Sequence, residues 1–284
     1  MPLLFRIVLS LATHSFDGKE PTDRLSPPGW QGNPWGPEAT KARSEGKLPQ
    51  IPYTPAMKKW DAWGRKTLRD GDVIFRRGDA KVLFGYYPFS RFIANCSGSR
   101  YSHVGTVVVE QGEPVVYDTT KAGVRRQPFP VWVLDNVTGI GVKRLKADRR
   151  SHIPGIVAYL HRVYAEQVPF DYDLALDDKA LYCVEMAEKA FRSEGLKLSD
   201  PVKVGDMEHA AEFPISIFTF HYLSKLSLSQ PLTLETEVFF PGNERHGIWS
   251  SPLLETVYPA RSAKAGAGAS PKAMVGERPK ASSR

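Results

Sequence analysis

The chain has 284 residues, 38 Lys and Arg against 31 Asp and Glu for a formal charge of +7, 42% apolar residues and two cysteines. That apolar fraction at this length supports a sizeable core, so a wholly disordered or collagen-like chain is excluded. Two cysteines cannot staple a scaffold or build a four-thiolate zinc site, which leaves one bridge or free thiols.

Residues 3–12 form an apolar run of signal-peptide length, but Arg6 interrupts it and no basic segment precedes it. A short element of the mature protein is therefore favoured over a cleaved signal, and the cytoplasm over export. No run reaches the ~18 apolar residues that span a bilayer. Residues 1–57 read as a leader, rich in Pro and Gly from residue 19 on, extended along the body or free in solvent. A helix is predicted over 57–68, and Asp70-Gly71 signals a turn into a strand over 72–77. Residues 81–95 fit either a helix or an aromatic loop broken at Pro88.

The clearest pair of strands covers 103–110 and 114–120, with a Gly-containing connection that implies an antiparallel hairpin. Further strands are expected over 123–129 and 141–145, then helices over 153–166 and 179–194, the second capped by Asp177 or Asp178 and stopped at Gly195. Residues 213–240 are partly apolar, and 253–257 reads as a terminal helical turn. Strands early and helices late give an α+β fold, an antiparallel sheet packed against helices, over a body of 58–258. The tail, 259–284, is expected to be disordered, and its six basic residues and one acid carry +5 of the +7. The near-neutral body is no footprint for nucleic acid.

Cys183 falls near the start of its helix, where the positive end of the helix dipole favours a thiolate. A lone cysteine on the apolar face it shares with Met186, Ala187 and Ala190 is more often a small core residue than a nucleophile. His103 adds weight to the first reading. The hairpin register pairs His103 with Thr120 and Gly105 with Asp118, making His103 and Asp118 diagonal neighbours on one face, about 7–8 Å apart and within side-chain reach. An acid that orients a histidine is what a cysteine–histidine site needs. The other six histidines form no metal-ligand spacing, and there is no phosphate loop, dinucleotide fingerprint or nucleophile elbow, so neither metal nor cofactor is expected. Cys96 reads as inert.

The ordered set Leu68-Arg69-Asp70-Gly71-Asp72-Val73, Tyr101-Ser102-His103-Val104-Gly105, Val116-Tyr117-Asp118, Phe170-Asp171-Tyr172-Asp173 and Leu181-Tyr182-Cys183-Val184-Glu185 resembles the YiiX/YebB-like cysteine hydrolases. These form a circularly permuted branch of the NlpC-type, papain-like superfamily. A weaker echo lies in Phe239-Phe240-Pro241 and Ser251-Pro252-Leu253. The resemblance implies a cysteine at the N-terminus of a helix packed on an antiparallel sheet, with the histidine on a facing strand that precedes it in the chain. It makes Cys183 the nucleophile, His103 the base and Asp118 the orienting acid. Backbone N–H groups at the helix start are the expected oxyanion donors, with Tyr101 or Tyr182 able to add a hydroxyl. Two departures stand out: Asp118 replaces a more usual Glu, and Val184 follows the cysteine where Ser is common. The expected reaction is acyl transfer through a thioester, cleaving an amide or peptide bond, with a lipid acyl substrate or a non-catalytic binding module of this fold as alternatives.

Overall fold

The computed structural model describes residues 30, 32–78, 89–135, 139–212 and 233–258. The apolar run 3–12, the aromatic residues 84–88, the stretch 213–232 and the tail 259–284 lie outside these residues.

Helix α1 (Pro37–Ser44) and helix α2 (Pro55–Thr67) come first. Thr54 caps α2 through Met57 N–H, with Pro55 at the first helical position, where its missing donor costs nothing. The chain then turns at Asp70-Gly71 into β1 (Val73–Arg76). The turn is tied down twice: Asp70 Oδ1 accepts Val109 N–H at 2.6 Å, and buried Asp72 pairs with Arg144 at 2.7 Å. Helix α3 (Phe89–Cys96) follows, so the ambiguous aromatic stretch is helical in its described part.

Strands β2 (His103–Glu110), β3 (Glu113–Thr120) and β4 (Gly123–Pro128) form two successive hairpins. Gln111 and Gly112 both have positive φ, 52° and 82°, the backbone a two-residue hairpin turn requires. The observed register, with Thr106 opposite Tyr117 and Val109 opposite Pro114, is the one expected from the sequence. The one-turn helix α4 (Phe129–Trp132) leads into β5 (Ile140–Leu145), and helix α5 (Ile153–Ala165) and helix α6 (Cys183–Arg192) come next. A small pair, β6 (Val202–Lys203) and β7 (Glu237–Val238), precedes the last strand, β8 (Leu254–Tyr258).

The main sheet is antiparallel throughout, in the order β4-β3-β2-β1-β5-β8. Val73, Phe75, Val104, Val108 and Tyr117 face α5 and α6. Ile74, Val107 and Val116 face the opposite way, onto Phe129, Trp132 and Leu68. The sheet is therefore covered on both faces.

Three expectations need correction. Residues 254–258 form a strand, not a helical turn, because the free edge of β5 pairs with them. The cysteine helix starts at 183 rather than 179: residues 177–179 form a bend, and a parallel bridge from Phe170 holds Leu181 outside the helix. Asp177 and Asp178 consequently cap nothing on α6; Lys189 binds the Asp178 side chain and the Asp177 carbonyl instead. Lastly, the described part of the leader lies on the body, one of the two arrangements expected, but residues 37–44 are helical, forming α1, rather than extended. Asn33 Nδ2 donates to Val124 O at 2.8 Å and Trp35 O accepts Arg126 N–H, so this strap pairs with the β4 edge that would otherwise present open backbone groups. Trp35 is fully buried against Met57 and Val131. Trp35→Ala is expected to lower stability by about 3 kcal/mol, seen as a fall in the urea midpoint at unchanged m-value.

Candidate active site

The sequence places three chemically able side chains far apart, and the fold brings them to one end of β2. His103 opens that strand. The backbone enters it under restraint, with Ser102 N–H bonded to Arg76 O and Ser102 Oγ accepting Gly78 N–H. His103 and Asp118 share the sheet face that carries Trp132, and their side chains meet at 2.7 Å, Nε2 to Oδ2. The bond uses one ring nitrogen and leaves Nδ1 for the thiol.

Cys183 is the first residue of α6, whose body packs on the other face of the sheet. Starting the helix here puts the sulfur in the field of unpaired backbone N–H groups. Glu185 in the first turn takes the Tyr182 N–H, which fixes the helix start. Burial by itself would raise the Cys183 pKa, but charge and hydrogen bonding from His103, together with Val104 N–H, hold it below the ordinary thiol value. Burial likewise opposes a charged His103, while the Cys183 thiolate and Asp118 favour it strongly enough to push the imidazole up to about 9. Each partner thus stabilises the charged form of the other, which is the electrostatic signature of a thiolate–imidazolium pair.

Asp118 is fully buried, which alone would favour its neutral form. Arg125 outweighs this with two bonds, Nε to Oδ1 at 2.9 Å and Nη2 to Oδ2 at 2.7 Å. Trp132 Nε1 adds a third at 2.8 Å, and the carboxyl is held far below the usual range. The shorter acid reaches the histidine without difficulty. Val184 is buried between the sheet and the helix layer, so replacing Ser there alters packing and leaves the thiol untouched.

The two tyrosines differ. Tyr182 Oη accepts Phe239 N–H at 2.6 Å, tying the weak Phe239-Phe240 echo to the cysteine helix, and keeps its own proton to donate. Tyr101 packs among Phe75 and Trp249, with its hydroxyl against Gly141, and is a packing residue. Sequence reasoning missed Arg125, Trp132 and Arg76. Arg125 was within reach of it, since the tight turn after Thr120 places Arg125 directly opposite Asp118. Trp132 depends on the α4 turn, which leaves no periodic signal. Arg76 depends on the pairing of β1 with β2 across a connection of 26 residues, from 77 to 102.

A cysteine at a helix start, a histidine bonded to a buried acid, and an antiparallel sheet between helical layers are the features of a papain-like cysteine hydrolase with its elements permuted. The profile of the permuted papain-like amidase enzymes, YaeF/YiiX, C92 family, matches residues 67–256, and the chain belongs to that family. It is an amide hydrolase of the cysteine type. Among solved structures, the crystal structure of the metalloprotein yiiX from Escherichia coli O157:H7 is similar, with a TM-score of 0.54 and 20% identity over 67% of this chain and 97% of that one. Among curated proteins none matches.

The donors around His103 do not suit a cation. Both oxygens of Asp118 already accept from cationic or indole donors, and no three His, Cys, Asp or Glu residues converge as ligands among the described residues. Nor is any described helix long and apolar enough to cross a membrane.

The two cysteines supply an internal control. Cys96 is buried and its thiol is pushed up to about 11. Iodoacetamide labelling across pH, read by peptide mass spectrometry, is expected to modify Cys183 with a midpoint below the ~8.5 of a free thiol and to leave Cys96 unlabelled.

Proposed function

We propose that the chain cleaves an amide or peptide bond through a Cys183 thioester, with His103 as base and then acid and Asp118 holding it. The observation that carries this reading is the continuous contact from Cys183 through His103 to a carboxylate kept charged by Arg125. In the first step the thiolate attacks the carbonyl carbon and the carbonyl electrons move to oxygen. Backbone N–H groups at the start of α6 are the donors for that oxyanion, and the Tyr182 hydroxyl, which accepts Phe239 N–H, keeps a proton that it can add. The adduct then collapses, the carbon–nitrogen bond breaks, and His103 gives its proton to the departing nitrogen. Water, deprotonated by the now neutral His103, attacks the thioester and releases the acid.

The substrate class we favour is a cell-wall peptide or a similar amide. Incubation with muropeptides and, in parallel, with phospholipids, followed by mass spectrometry, tests it. Loss of an amine-bearing fragment from the muropeptides is expected, and loss of a fatty acid from the phospholipids alone would overturn the choice. Cys183→Ala is expected to abolish turnover, and His103→Ala to cost about 10²- to 10⁴-fold. Asp118→Asn should retain more activity than either, because it acts by orienting the base.

The pH profile has a definite sign. Activity should rise through the lowered pKa of Cys183, since a protonated thiol is inert, and fall through about 9 as the imidazolium loses the proton the leaving group needs. A profile still rising at pH 10 would contradict the pairing.

A further inference from the structure

Arg76 is almost wholly buried, and the mechanism above gives it no part. It stands on β1 directly across from His103 in the strand register. Trp132 links the two. Its indole is stacked on the imidazole with ring centres 6.0 Å apart, and the Arg76 guanidinium lies 4.4 Å from the centre of a Trp132 ring while Nη1 donates to Trp132 O at 2.5 Å. A buried guanidinium is therefore locked beside the catalytic histidine, on the side away from the thiol's helix.

We propose that Arg76 is a positioning residue that sets the acidity of His103: its fixed positive charge works against the imidazolium and so eases release of the proton to the leaving nitrogen. This rests on the proposed function. Among the described residues, charged groups from four elements bear on His103. Cys183 from α6 and Asp118 from β3 favour the imidazolium, Arg125 from β4 neutralises Asp118 from behind, and Arg76 from β1 opposes the charge. Trp132 from α4 is uncharged. Without Arg76 the pair of anions would hold the proton more tightly. The thiolate would still form, but the imidazolium would be a poorer acid at the moment when the carbon–nitrogen bond breaks, the electron pair leaves with nitrogen and the proton must follow it. Fixing the cation through Trp132, which also binds Asp118, keeps its distance from the imidazole constant.

The test is an NMR titration of the His103 ring in nitrogen-15-labelled protein, the signal assigned by its loss in His103→Gln. Arg76→Met is expected to raise the midpoint by about half a pH unit or more, and Arg76→Lys to bring it back towards the wild-type value. Should Arg76→Met fail to fold, Arg76→Gln removes the charge in the same titration. On turnover, the neutral variant should slow hydrolysis of a peptide anilide far more than that of a nitrophenyl ester, whose leaving group needs no proton. A folded neutral variant whose midpoint stays in place or falls would overturn the inference. Labelling of Cys183 separates the two failures. If the wild-type thiol is no more acidic than a free one, the cysteine mechanism itself is wrong; if it is acidic and the midpoint ignores Arg76, only the role of Arg76 is wrong.

Discussion

Asp118 is a carboxylate with no solvent exposure, and holding its charge inside the protein is the constraint around which the site is arranged. A lone buried carboxylate would take up a proton rather than remain charged, because desolvation of an ion costs more than neutralising it. Two bonds from Arg125, one from Trp132 and one from His103 reverse that preference. The charged Asp118 holds His103 by Nε2 and leaves Nδ1 towards the thiol. The chain of dependence runs from Arg125 to Asp118, then to His103 and Cys183.

The second constraint is topological. The histidine and its acid belong to the sheet face covered by α2 and α4, whereas the cysteine comes from a helix on the opposite face. They can meet only at the end of a strand. That is why His103 is the first residue of β2 and Cys183 the first of α6, and why so many local bonds, from Ser102, Glu185 and the bridge between Phe170 and Leu181, serve to fix where those two elements begin. Leu174 and Leu176, at φ 53° and 51°, lie in the segment leading to the cysteine, so this approach is held in a backbone that leucine seldom adopts.

Much of this was legible in the chain. The β2–β3 register followed from a short Gly-containing connection, and with it the shared face of His103 and Asp118, because side chains alternate along a strand and a tight turn leaves one pairing. The position of Cys183 near a helix start was legible to within a turn. What escaped was anything set by contacts distant in sequence. The start of α6 at 183 depends on a bridge to Phe170, the strand at 254–258 on the free edge of β5, and the choice between a leader on the body and one in solvent on the open edge of β4. Arg76 and Trp132 were invisible for the same reason: neither carries a local pattern, and each matters only for what the fold sets beside it.

The most direct measurement is to trap the acyl-enzyme. Mixing the protein with a nitrophenyl ester of an acylated amino acid, quenching in acid within the first turnover and mapping peptides by mass spectrometry locates the acyl group. The account predicts one acyl adduct on the peptide containing Cys183, labile to hydroxylamine as a thioester is, and absent from Cys183→Ala. Acylation at any other residue, or turnover that survives the loss of Cys183, would contradict it.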